Sequence, residues 1–147
     1  MRISRTVEVK QSPRSVWATL EDFDRWPKWA APLGAPRRIT AGHWQPGWRG
    51  RLGGITYEIT EVADLGPGKQ MIWTGASFGT DSVWTLLVEP VRGKTEVTFI
   101  VEQNGWFPAL FGRWTRKGFE QKLKDALEGF RKHAESSPAI PRVTQQQ

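Results

Sequence analysis

Hydrophobic and polar positions alternate from the start of the chain, with Ile3, Arg5, Val7 and Val9 on one side and Ser4, Thr6, Glu8 and Lys10 on the other. That period of two predicts a half-buried strand. The period then changes. Ser12 is a good N-cap and Pro13 suits the first helical position, so Val16, Trp17 and Leu20 form the apolar side of a short helix. Asp22 or Asp24 restarts a second short helix, which Pro27 keeps from running far. Arg37–Thr40 and Gly50–Leu52 read as short strands on either side of the loop AGHWQPGW. Ile55, Tyr57 and Ile59 alternate with Thr56, Glu58 and Thr60, and LGPGK then turns the chain. Gln70–Ala76 is a strand whose inner set is either Met71 and Trp73 or Ile72, Thr74 and Ala76. Ser82–Glu89 places Trp84, Leu86 and Val88 inside; after the turn PVRGK, Val97, Phe99 and Val101 do the same for the last strand.

Phe119, Leu123, Ala126, Leu127, Phe130 and Ala134 recur at helical spacing and form one apolar stripe. Upstream, Leu110, Phe111 and Trp114 point in another direction on the same wheel, and Gly112 and Gly118 weaken the helix there. The helix therefore has a packed second half and a looser aromatic first half. The order of elements is α+β: a strand, two small helices, an antiparallel curved sheet and a long closing helix that the sheet must cover. A single domain over residues 1–134 is expected, with 135–147 as a flexible tail.

With 147 residues and no cysteine, disulfides and thiolate chemistry are out of reach. The charged, alternating N-terminus is unlike a signal peptide and no apolar run approaches a membrane span, so a soluble cytoplasmic protein without stable membrane insertion is expected. Net charge is +6, but the basic residues are scattered and acidic ones interrupt them on the helix, which favours a solvated surface over nucleic-acid binding. The nine tryptophans change the picture most. A core absorbs some, yet every buried indole N–H needs an acceptor, so an aromatic-lined cavity is their other natural use.

Together these residues resemble the START/Bet v 1-like (SRPBCC) helix-grip superfamily in its polyketide cyclase/dehydrase-like branch. The resemblance rests on Ser12, Pro13, Val16, Trp17, Leu20, Asp22, Phe23, Pro27 and Trp29, on Gly50, on Trp84 leading into Leu86 and Pro90, and on Thr95. It extends over about residues 2–134. It implies a sheet of about seven strands wrapped around the C-terminal helix, with a cavity between them for an apolar small molecule. Members include lipid and sterol carriers, polyketide cyclases, plant hormone and allergen proteins, and activators of a chaperone ATPase, so the fold transfers better than the chemistry.

His43 lies among turn-formers and His133 in the last turn of the long helix, where a positive charge suits the helix dipole; their spacing makes no metal motif. Neither a metal nor another cofactor is expected. Ser77 and Ser82 lack a nucleophile-elbow pattern, and GRLGG lacks the residues of a phosphate loop. The weak catalytic candidates are Tyr57, the single tyrosine, and Arg5, which shares a face with Val7 and Val9 but can snorkel to solvent. The resemblance implies ligand contacts from Trp26, Trp29, Tyr57, Trp73, Trp84, Trp106, Leu110, Phe111 and Trp114. Trp26 and Trp29 divide between packing and lining, Trp17 belongs to the core, and Trp44 and Trp48 form a lid or cover a sheet edge. The expected function is binding of a hydrophobic small molecule as carrier or sensor, by a monomer or homodimer. The alternatives are a cyclase or dehydratase-type enzyme and a chaperone-activator-like interaction module.

Overall fold

A computed structural model describes residues 1–136. The opening alternation becomes strand β1 (Arg2–Val9), and helix α1 (Pro13–Glu21) follows at once. The Ser12 hydroxyl accepts from the Ser15 amide at 3.2 Å, as its capping role requires. The second short helix is not α-helical. With Pro27 inside it, the chain instead makes two 3-10 turns, Phe23–Lys28 and Ala31–Leu33.

Strands β2 (Arg37–Arg38), β3 (Arg49–Leu52), β4 (Ile55–Leu65), β5 (Gly68–Ser77), β6 (Thr80–Val91) and β7 (Lys94–Asn104) complete a sheet in the order β1-β7-β6-β5-β4-β3-β2. Every pairing is antiparallel. In β5 the inner residues are Met71 and Trp73, both fully buried, which settles the face that alternation alone left open. A register shift between Ile59 and Glu61 marks a bulge in β4.

Helix α2 (Trp106–Ser136) lies in the concave face, giving the helix-grip arrangement. Leu123, Ala126, Leu127, Phe130 and Ala134 are buried against the sheet, and Phe119 is half-buried. The helix continues to Ser136, past the boundary expected at 134, and residues 137–147 of the expected tail lie outside the described residues. No described helix is long and apolar enough to cross a membrane.

The loop between β2 and β3 turns inward. Trp44 and Trp48 are buried, neither a lid nor an edge cover, and Trp44 meets Trp17 edge-on at 5.6 Å. Seven of the nine tryptophans are buried, so packing takes more of them than the composition suggested.

His133 departs from the expectation based on the helix dipole. Burial, then the nearby Lys28 and Arg25, hold its pKa below the usual value against the opposing pull of Asp22. The folded protein thus binds this proton less readily than the unfolded chain, and stability falls as pH drops through the unfolded value of about 6.5. Replacement of His133 by Gln should shrink the loss of Tm between about pH 7 and about pH 5, read by thermal denaturation. Phe130, fully buried with the Trp29 ring edge-on at 4.9 Å, tests the grip itself. Phe130→Ala should cost about 3–5 kcal/mol in urea unfolding.

Candidate functional site

Tyr57 in β4, Gly75 in β5, Ser82 in β6 and Gln103 in β7 are successive ladder partners, so they form one row across the concave face. Glycine is required within that row. A Cβ on Gly75 would lie 2.9 Å from Tyr57 Cδ1 and 2.6 Å from the Thr56 carbonyl oxygen. Without it, the Tyr57 ring leans across β5 toward β6, where Trp84 Nε1 donates to its hydroxyl oxygen at 3.2 Å. Trp73 stacks on the same ring at 5.0 Å and 20°. The phenol is held from one face and from its tip.

Burial raises the Tyr57 pKa above its ordinary value, and the weaker opposing effects of Ser82 and Trp84 do not cancel it. The group is a neutral phenol near pH 7. Because the indole occupies an acceptor position, the phenolic proton is available to donate. The Ser82 hydroxyl lies near enough to favour the phenolate but makes no hydrogen bond of acceptable geometry.

Over this row lies a cavity of about 500 Å³, walled by the Ala31–Leu33 turn, Leu52, Ile55, Tyr57, Trp84, Gln103, Phe119 and Lys122. A second volume of about 430 Å³ extends it along the first half of α2, reaching Phe107, Trp114 and Gly118. The two share Ile55, Gln103, Phe119 and Lys122 and make one groove, half open to solvent. Each part is of a size that accommodates a small organic ligand. A separate hollow of about 150 Å³ beside Trp17 and Lys69 is too small for that.

Of the candidates, Tyr57 and Trp84 wall the inner part and Trp114 the outer part. Trp26, Trp29 and Trp73 do not line either part; they are buried in the aromatic core, where opposing rings fill the space a ligand would need. Trp106, Leu110 and Phe111 sit on α2 outside the groove walls, and Leu110 faces solvent. Arg5 is on the expected face of β1 but is drawn to the rim, where its guanidinium meets Glu120 of α2 at 2.6 Å. His43 is exposed, with Nδ1 3.5 Å from the Glu21 carboxylate.

Residues 1–135 match the family described as polyketide cyclase / dehydrase and lipid transport. The chain belongs to this family. Its fold is similar to that of a hypothetical protein from Helicobacter pylori, with a TM-score of 0.77 and 16% identity over 91% of this chain and 88% of that one. It is similar to a START superfamily protein from Mycobacterium smegmatis (TM-score 0.71, 15% identity, 92% and 97% of the two chains). It is also similar to Ara h 8.0201 (TM-score 0.68, 10% identity, 93% and 99%). No curated protein matches the sequence. At these identities the structural likenesses establish the architecture and leave ligand chemistry to the groove itself.

Sequence reasoning missed Gln103, Ile55 and Lys122 as groove residues. Gln103 was within reach, since it stands two positions after Val101 on the same inner face.

Tyr57 is the single tyrosine, so phenolate absorbance reports on it alone. Its titration in the folded protein should have a midpoint above the usual value of about 10, returning to it in denaturant. Tyr57→Phe abolishes that signal and strands the buried Trp84 N–H. Chemical denaturation should then show a loss of about 1–3 kcal/mol.

Proposed function

We propose that this protein binds a hydrophobic small molecule carrying one hydrogen-bonding group in the groove between sheet and α2, as a carrier or sensor. One observation carries this reading: Tyr57 and Gln103 stand on the wall of a groove that Leu33, Leu52, Ile55, Trp84 and Phe119 also line, so polar groups and apolar side chains face the same space. Affinity comes from apolar burial at roughly 25 cal/mol per Å² before the costs of association. Orientation comes from the polar groups. A neutral phenol that can donate and the Gln103 amide beside it suit a carbonyl or hydroxyl at one end of the ligand.

A second reading, a cyclase or dehydratase-type enzyme, draws support from the same phenol, because a buried neutral tyrosine can polarise a carbonyl. Acid–base chemistry there also calls for a carboxylate. Arg5 is engaged with Glu120, the charged group on the groove wall is the exposed Lys122, and among the described residues neither part is walled by a carboxylate. Binding is therefore the better-supported function. The presence of the groove also weighs against a pure interaction module.

Native mass spectrometry of the purified protein, with fluorescence titration against lipids, aromatic polyketides and flavonoids, tests the reading. A retained small-molecule mass or saturable quenching supports it; neither with any compound overturns it. Turnover lost in Tyr57→Phe with affinity retained would move the conclusion to the enzyme. Gln103→Leu separates function from stability: the Gln103 side chain walls both parts of the groove, so its loss should leave Tm little changed while ligand affinity falls roughly tenfold.

A further inference from the structure

The first three turns of α2 present an apolar face to solvent. Gly112, Phe119 and Leu123 turn toward the sheet, so Leu110 and Trp114, four residues apart, point away from it. They are 66% and 77% exposed. Trp106 and Phe107 flank them at 49% and 40%, and Phe78, at the tip of the β5–β6 hairpin, is 83% exposed.

These side chains form one platform because the hairpin tip and the helix start are fastened together. The Phe107 amide donates to the Gly79 carbonyl at 3.0 Å. Gly79 has φ +71°, and a Cβ there would lie 2.6 Å from the Trp106 indole, so only glycine lets the ring settle against the turn. The rings of Phe78 and Trp106 then meet edge-to-face at 5.1 Å.

Along the first turns of the helix the charge has one sign. Between Gly105 and Phe119 the chain carries Arg113, Arg116 and Lys117 and no acidic residue. Arg116 is partly neutralised by Glu120 at 3.5 Å, whereas Arg113 and Lys117 make no ion pair among the described residues. The nearest acid along the hairpin is Asp81, at the start of β6. Exposed aromatic and leucine side chains bordered by cations are the signature of a helix that lies in an anionic lipid interface. A second copy of the chain fits less well, since a two-fold contact here would bring each copy's uncompensated cations together.

We propose that this platform docks the protein peripherally on anionic phospholipid membranes, with Leu110, Trp114, Trp106 and Phe78 entering the interface and Arg113 and Lys117 meeting the head groups. Phe107 and Trp114 also wall the outer groove, so docking turns the groove mouth toward the lipid. Docking and ligand binding share Trp114 but are measured separately, by vesicle partition and by ligand titration.

Cosedimentation of the full chain with vesicles of phosphatidylcholine alone and of phosphatidylcholine with phosphatidylglycerol tests it. Binding should appear with the anionic vesicles only and weaken with added salt. Leu110→Ser with Trp114→Ser, and separately Arg113→Glu with Lys117→Glu, should each weaken partition roughly tenfold or more, at unchanged circular dichroism and Tm. Lys124→Glu, on the exposed part of the packed half of the helix, should change it little. Three results overturn the proposal: no preference for anionic vesicles, binding that survives loss of Leu110 and Trp114, or a solution dimer abolished by Leu110→Ser.

Discussion

Tryptophan 73 joins the core to the groove, and the geometry of both depends on how its ring is held. On one side it meets Phe23 and Trp26, each at 5.8 Å, and stacks with Trp48 at 6.3 Å. On the other it stacks under Tyr57 and meets Trp84 at 6.4 Å. Trp26 anchors the assembly by donating its indole N–H to the Leu20 carbonyl at 2.8 Å, which ties the 3-10 turn to the end of α1. The position of the Tyr57 hydroxyl thus follows from the packing of residues brought together from β5, the first 3-10 turn and the β2–β3 loop.

This core has a visible cost. The indole N–H groups of Trp29, Trp44, Trp48 and Trp73 are buried without a hydrogen-bond partner. Each unpaired donor costs about 1–3 kcal/mol. Burying an aromatic side chain of about 150–250 Å² returns roughly 4–6 kcal/mol. Burial therefore outweighs the unpaired donors, and the aromatic pairings add a smaller increment. Ser82 differs because a hydroxyl has almost no apolar area to set against its missing partner. It is the orphan atom for which packing supplies no compensation, and it lies close to the Tyr57 phenol.

The sequence made strands β4, β6 and β7 legible because their buried and exposed residues alternate over long stretches, and it made the second half of α2 legible through its stripe. β2 is two exposed arginines and carries no such signal. Depth was the harder property. Alternation assigns Trp73 and Trp84 alike to the inner face, yet Trp73 faces other rings and Trp84 faces a groove. What lies opposite decides the difference, and for Trp73 it includes Trp48 from a loop whose tryptophans read as a lid or an edge cover. Trp26 and Trp29 went into the core for the same reason. The family resemblance implied a cavity between sheet and helix, where the groove lies, but not which aromatic residues face it.

The two halves of α2 make the groove unequal in stiffness. Its floor belongs to central strands, where Tyr57 is stacked, hydrogen-bonded and set against the backbone by Gly75. Its outer wall belongs to a helical segment containing Gly112 and Gly118, each about 1 kcal/mol less favourable in a helix than alanine. That segment also leaves Leu110 and Trp114 largely exposed, so it draws little stability from the core. Local opening free energy follows buried contact, and the wall is accordingly the part that yields at least cost. A bound molecule would meet a fixed set of polar groups at one end and an adaptable aromatic wall at the other. On the proposed reading, such a site would select strictly for the position of a hydrogen-bonding group and loosely for the shape of the apolar body attached to it.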